Sequence, residues 1–275
     1  MVVVKIGDGL GNQMYNYVCG YAVAKHDNDT LKLDTSDVDN STLRTYGLDK
    51  FNITCDRRES FSNKTVFHKI FKRLRRNILY RVIFERKGEA NPYDMNVYSK
   101  KFIRNKYLHG YFQNYCYYES CKEEIDKQFT PKEQLSDLVN NFMEHFSSES
   151  TCSLHIRGGD IPPLPVEYYK QAVNICSRSH SGVRYIVFSN DRNIAKKYVE
   201  ELELENVSFI WEMGDFTDFD ELFLMKSCHN HIISDSTFSR WAGFLDDGNG
   251  MVIAPAGEND NTIYPQEWKT IKINK

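Results

Sequence analysis

The stretch Cys152-Ser153-Leu154-His155-Ile156-Arg157-Gly158-Gly159-Asp160 decides how this chain is read. Apolar strand-forming residues run into an arginine, two glycines and an acid, the pattern of an interior strand opening onto a loop. The same alternation continues downstream. Strands are predicted at Arg184–Phe188, Val207–Ile210, His231–Ile233 and Met251–Ala254, with helices at Val166–Cys176, Asn193–Glu201, Phe219–Cys228 and Ser236–Phe244 between them. Strands and helices alternating at this spacing predict a mostly parallel sheet with right-handed crossovers. Ligands of such sheets bind beyond the carboxyl ends of the strands.

Upstream, the N-terminus predicts a second β-α-β unit. Val2–Ile6 reads as a strand and Gly7-Asp8-Gly9-Leu10-Gly11 as a glycine loop. Asn12–His26 carries Met14, Tyr17, Val18, Tyr21 and Ala22 at helical spacing, and Leu31–Asp34 is the next strand. Helices are predicted at Glu119–Gln128 and Pro131–Phe146, the latter with Thr130 as N-cap and Pro131 at the first helical position. The 275 residues, 41% hydrophobic and 27% charged, suffice for one large or two small α/β domains. A net charge of −3 gives no global argument for nucleic-acid binding. The seven cysteines are odd in number, dispersed and without a C-x-x-C pair, which disfavours a disulfide framework or zinc knuckle and suits a reducing compartment. No apolar run reaches the length of a membrane span or a signal sequence, so a cytoplasmic protein is expected.

Four features could carry chemistry. The first glycine loop lacks the G-x-G-x-x-G spacing and the Gly-Lys-Ser/Thr of a phosphate loop. It reads either as a tight turn or as a ligand loop with Asn12 and Gln13 at its lip. In the second, strand alternation puts His155 and Arg157 on one side of the sheet at its carboxyl end. There the arginine fork suits a phosphate, or else pairs with Asp160 to stitch the loop. The third comprises Ser189-Asn190-Asp191 and Ser234-Asp235-Ser236-Thr237-Phe238-Ser239, which follow strands and precede helices. They read as anion cradles or as plain N-caps. The fourth is the segment Phe67–Lys87, a predicted basic amphipathic helix carrying +7 in a chain whose total is −3. It is a solvated face of the core or a weak contact for anionic membrane; nucleic-acid binding through it is not expected. The D-x-D spacings at Asp27/Asp29, Asp37/Asp39 and Asp218/Asp220 follow no convincing strand, and His229/His231 have no partner ligands at fixed offsets, so no metal site is expected.

Six motifs in one order then resemble a known family. They are Gly9-Leu-Gly-Asn-Gln-Met14, Arg44 through Ile53, Gly110-Tyr-Phe-Gln113, His155-Ile-Arg-Gly-Gly-Asp160, Phe188-Ser-Asn-Asp191 and Ser234-Asp-Ser-Thr-Phe-Ser239. Together they are similar to the motifs of the α-1,2-fucosyltransferases, inverting glycosyltransferases of family eleven. The resemblance implies a GT-B-like α/β architecture with two Rossmann-like lobes around a donor/acceptor cleft. An acceptor-side lobe would span residues 1–146 and a GDP-sugar-binding lobe residues 147–275. It further implies GDP-β-L-fucose as donor, a galactose-terminated oligosaccharide or lipid-linked glycan as acceptor, and no cofactor or metal. Arg157 and Asn12 would be catalytic. His155, Arg157, Asp160, Asn190, Asp191, Ser236 and Thr237 would bind the donor, and Gln13, Tyr111 and Gln113 would lie on the acceptor side. Another GDP-sugar transferase, or a non-catalytic GDP- or glycan-binding protein, stays open. The family usually carries a second arginine where this chain has Gly158, and often tryptophan where it has Arg240.

Overall fold

A computed structural model describes residues 2–58, 86–87, 106–159, 161–246, 250–257 and 263–273. The predicted helix at 67–85 and Asp160 lie outside these residues. The chain divides into two compact units, Met1–Lys132 and Glu133–Lys275.

The first unit is built on β1 (Val2–Lys5), α1 (Leu10–Asp27), β2 (Leu31–Asp34), the single-turn α2 (Ser36–Asp39), β3 (Asp56–Arg58), β4 (Arg86–Lys87) and β5 (Lys106–His109). All strands are parallel in the order β3-β2-β1-β5-β4. Val2, Val3 and Val4 are all buried, because β1 is the central strand and is covered on both faces. Helix α1 starts earlier than its apolar spacing suggests and is buried almost all round, from Met14 and Tyr17 to Val23. It lies hard against the sheet at Gly20, where a Cβ would come within 2.7 Å of Val4 Cγ1 and 2.9 Å of Leu31 Cδ1. The helix ends at Asn28, whose left-handed backbone returns its N–H to Ala24 and Lys25 carbonyls. Arg86 and Lys87 form a strand paired with β5, so the end of the predicted basic helix is corrected here. Two short helices, α3 (Tyr115–Glu119) and α4 (Lys122–Gln128), replace the continuous Glu119–Gln128 helix.

The second unit contains α5 (Asp137–Ser148), β6 (Thr151–His155), α6 (Val166–Ser179), β7 (Arg184–Phe188), α7 (Arg192–Glu201), β8 (Val207–Phe209) and the single-turn α8 (Ile210–Met213). It closes with α9 (Asp218–Lys226), β9 (Asn230–Ile232), α10 (Thr237–Phe244), β10 (Val252–Ala256) and β11 (Lys269–Lys272). Its six strands are parallel in the order β11-β10-β9-β6-β7-β8, so the strand sequence reverses direction between β6 and β9. A core of Cys152, Leu154, Tyr168, Tyr169, Val187, Ile232 and Ile253 lies around the sheet.

Two further expectations change. Pro131 does not begin a helix. It bridges Phe51, and Lys132 N–H donates to the Lys50 carbonyl at 2.8 Å, which extends that backbone. The helix begins at Asp137 because Ser136 caps it, accepting from Val139 N–H at 3.3 Å. The division between units therefore falls at 132/133 rather than 146/147. Helix α5 packs on α9 of the second unit, with Phe142 edge-on to Phe216 at 6.1 Å.

Candidate functional site

Each sheet has one point at which neighbouring strands depart in opposite directions along the sequence, and a crevice opens there beyond the carboxyl ends. In the second unit this point lies between β6 and β9, and most of the predicted donor residues surround it.

His155 ends β6 and is 4% exposed. Its Nδ1 lies 2.8 Å from Ser234 Oγ, which joins the loops after β6 and β9. Burial, and then the neighbouring Arg157 charge, push the imidazole down to about 3. The ring is therefore neutral at physiological pH and acts as a fixed strut beside Arg157, rather than as a second cation for a phosphate. Tyr169 of α6 supports it, its hydroxyl donating to the His155 carbonyl at 3.2 Å. Arg157 follows half-buried, a cation at this crevice.

Asn190 clamps the loop behind Arg157. Its Oδ1 accepts from Gly158 N–H at 3.0 Å and its Nδ2 donates to the Gly158 carbonyl at 2.6 Å, the pairing that a neighbouring strand would otherwise supply. Gly158 is buried. A Cβ at this position would lie 2.9 Å from Ile194 Cδ1 and 3.1 Å from Asp191 Cβ, so the arginine the family usually carries here would require both neighbours to shift. Asp191 is an N-cap: its Oδ1 accepts from the N–H groups of Asn193 and Ile194, both at 3.1 Å. That oxygen of the carboxylate is used by α7.

Across the crevice, Ser236 caps α10, accepting from Phe238 N–H at 3.3 Å, and Thr237 is the first helical residue. Ser236 thus takes the plainer of its two readings, yet the first turn of α10 contains no acid, leaving its positive end facing the loop. Arg240, 4% exposed, donates to Asp235 at 2.7 Å and lies over the Tyr264 ring at 5.5 Å. Its charge is balanced by Asp235 and fixes the strand-to-helix turn.

In the first unit the reversal lies between β1 and β5. The first turn of α1 and the loop after β5 bring together Asn12 and Gln113, with Gln113 Nε2 donating to Asn12 Oδ1 at 3.2 Å. Gln13 is tied to backbone on three sides. Its Nε2 donates to the carbonyls of Asp8 and Thr45, both at 2.9 Å, and its Oε1 accepts from Gly47 N–H at 3.0 Å. At 1% exposure it is a structural clip fastening the 44–47 loop to the glycine loop. Tyr111 is 43% exposed and hydrogen-bonds the Asp8 carboxylate; that bond and partial burial raise its phenol above the ordinary value. Beside them opens a cavity of about 260 Å³, lined by Lys5, Asp8, Asn16, Asp37, Arg44 and Tyr111 among others. Asp8, Asn16 and the clamping role of Asn190 were invisible at sequence level. Only the positive φ of Asp8, 61°, and the burial of Asn16 mark them.

Among the described residues no group of three or more His, Cys, Asp or Glu side chains is arranged to hold a metal ion. Asp37 is paired with Lys5 at 2.7 Å, Asp39 accepts from Thr35 at 2.6 Å, and Asp220 completes a capping box with Thr217. No helix among the described residues is long and apolar enough to cross a membrane.

Comparison with known proteins follows the same lines. A sequence profile of glycosyl transferase family 11 matches residues 93–272. An α-1,2-colitosyltransferase of Escherichia coli is 28% identical, the alignment covering 100% of this chain and 99% of that protein. The O-antigen biosynthesis glycosyltransferase WbnK of Escherichia coli is 28% identical over 96% of this chain and 98% of its own. Among solved structures, the NodZ α-1,6-fucosyltransferase soaked with GDP-fucose shares the fold with a TM-score of 0.53, 14% identity, and coverage of 89% of this chain and 91% of that one. Two Rossmann-like units of parallel sheet make the architecture GT-B-like.

Proposed function

The chain belongs to glycosyl transferase family 11, and from that premise we propose that it transfers L-fucose from GDP-β-L-fucose to the 2-hydroxyl of a galactoside by one inverting, metal-independent displacement. The acceptor oxygen attacks the anomeric carbon from the face opposite the diphosphate. The bond from that carbon to the phosphate oxygen breaks, and GDP leaves with the electron pair. Without a metal, charge growing on the leaving group needs fixed donors. The observation that carries this reading is the convergence, at the strand reversal of the second sheet, of Arg157 with the acid-free first turn of α10. Arg157 would take the β-phosphate, and Thr237 with the α10 N–H groups the α-phosphate side. His155, Ser234 and Asn190 hold Arg157 in place, and Asp160 orients the nucleotide. Asn12 would contact the sugar or diphosphate, with Gln113 and Tyr111 on the acceptor side. Support for the α-1,2 linkage comes from the colitosyltransferase relative, and for GDP-fucose from the NodZ structure soaked with it.

A second reading, transfer of colitose by the same machinery, is favoured by the name of that relative. Galactoside-dependent GDP release from GDP-fucose, GDP-colitose, GDP-mannose and UDP-galactose decides between them. On the preferred donor, Arg157→Ala lowers kcat/KM at least about a hundredfold, the scale of losing a donor to developing charge, with the melting temperature nearly unchanged. Wild-type turnover by Arg157→Ala, or activity abolished by EDTA and restored by manganese, overturns the assignment.

A further inference from the structure

The cavity of the first unit is lined by a buried amide whose oxygen stands unpaired among the described residues. Asn16 is 4% exposed, lines the cavity, and its Oδ1 has no hydrogen-bond partner among the described residues. A buried acceptor left unmade costs about 1–3 kcal/mol, so a ligand hydroxyl that satisfies it is rewarded. The volume of about 260 Å³ lies just below the range of drug-sized sites and suits one pyranose ring. Around it stand donors and acceptors of both signs together with the half-exposed ring of Tyr111, a surface for the apolar face of a sugar.

Two carboxylates reach this cavity, and they differ. Asp37 is held by Lys5 at 2.7 Å. Asp8 is exposed, bonded by the neutral hydroxyl of Tyr111, and stands where β1 ends and α1 is about to begin. Its φ of 61° is a conformation that glycine adopts without cost, and it sits between two glycines, Gly7 and Gly9. Backbone held at positive φ outside glycine clusters at active sites and ligand clamps, where the strain is part of the mechanism.

Resting on the fucosyl-transfer reading above, we infer that this cavity is the acceptor-sugar subsite, with Asn16 fixing a ring hydroxyl, and that Asp8 accepts the proton of the attacking hydroxyl. The step balances: the acceptor oxygen bonds to the anomeric carbon as its proton passes to an Asp8 carboxylate oxygen, and GDP departs with the electron pair of the broken bond. Asp8 is thus a catalytic residue, and Asn16 and Tyr111 set the acceptor.

The test compares two nucleophiles. Galactoside has a proton to lose; azide has none and forms a fucosyl azide by the same displacement. Asp8→Asn and Asp8→Gly lower kcat for galactoside about a hundredfold or more, the usual contribution of a positioned base, while fucosyl azide formation stays within about threefold of wild type. Asp8→Gly relieves the backbone and melts no lower than wild type, so its loss of activity is not unfolding. Asn16→Ala raises KM for galactoside about tenfold, one hydrogen bond to a buried group, and leaves KM for GDP-fucose unchanged. Wild-type transfer by both Asp8 variants, a loss shared equally by azide and galactoside, or an unchanged galactoside KM in Asn16→Ala overturns the inference. Absence of GDP-fucose binding by wild type in calorimetry overturns the donor reading itself, and this inference falls with it.

Discussion

The neutral, buried His155 makes the stability of the second unit depend on pH in a direction and amount that can be calculated. In the folded chain its imidazole titrates near about 3, lowered first by burial and then by Arg157, whereas an unfolded histidine titrates near about 6.5. The folded value is the lower, so the unfolded chain binds the extra proton as pH falls. Stability is fully present above about 6.5 and drains away between there and about 3. From about pH 7.5 to about pH 5 the single group removes roughly 2 kcal/mol, the unfolded histidine being almost fully protonated at the lower value and the folded one still neutral. Other titrating groups contribute as well, so the comparison is with His155→Asn, which keeps a polar atom near Ser234 and has no charge to gain. Urea unfolding followed by tryptophan fluorescence reads the right part of the molecule, because Trp211, Trp241 and Trp268 are the chain's three tryptophans and all lie in the second unit. Wild type should lose about 2 kcal/mol more than the variant over that interval. Parallel pH dependences for the two proteins would refute the buried, neutral histidine and with it the account of how Arg157 is held.

Three further outcomes follow from the contacts around the two crevices. Asn190→Ala removes both hydrogen bonds to the buried Gly158 and should cost about 2–4 kcal/mol by denaturant titration. It should also lower turnover, because the loop bearing Arg157 loses its clamp; unchanged stability refutes the clamp. Gly158→Arg, which writes in the usual family arginine, should not raise activity but destabilise by about 1–3 kcal/mol through overpacking against Ile194 and Asp191. Combining it with Ile194→Ala should recover part of that loss in melting temperature. Gln13→Ala breaks three hydrogen bonds of a buried side chain and should cost about 3 kcal/mol, with proteolysis appearing first in the 44–47 loop. Resistance equal to wild type would show that Gln13 is no clip.

The alternating half of the fold was legible because its strands are short and, β9 aside, mostly apolar, and because α6, α7 and α10 between them are amphipathic, whereas α9 is buried over most of its length. Arg184–Phe188 agrees residue for residue. Strand β11 was missed since Lys269-Thr-Ile-Lys272 is an exposed edge with one buried residue, Ile271, too little apolar content to signal. Pro131 misled because proline suits the first turn of a helix and equally an extended edge, and only the distant Phe51 decides between them. At the site, positions were legible and roles less so. Sequence placed His155, Arg157, Ser236 and Thr237 at strand ends. It could not tell a ligand group from a cap or a strut, because that depends on which N–H or hydroxyl comes within 3 Å. Asp191 and Gln13 are spent on backbone for this reason, while Asn16, flanked by Tyr15 and Tyr17, looked like one more position of a buried helix.

The bond between His155 and Ser234 joins residues 79 apart in the chain, and that between Asn12 and Gln113 joins residues 101 apart. Parallel strands cannot close by hairpins, so each crevice waits for distant segments to meet. Such long-range closure is slow compared with helix formation. During synthesis, β6 through β8 can pair while β9 and the residues after it are still inside the ribosome, giving a half-sheet whose β6 edge lacks its neighbour. Competence for chemistry is therefore among the last properties this chain acquires as it folds. A nascent or C-terminally shortened chain would show strand content well before any capacity to hold a nucleotide, and would meanwhile present the apolar β6 edge to chaperones.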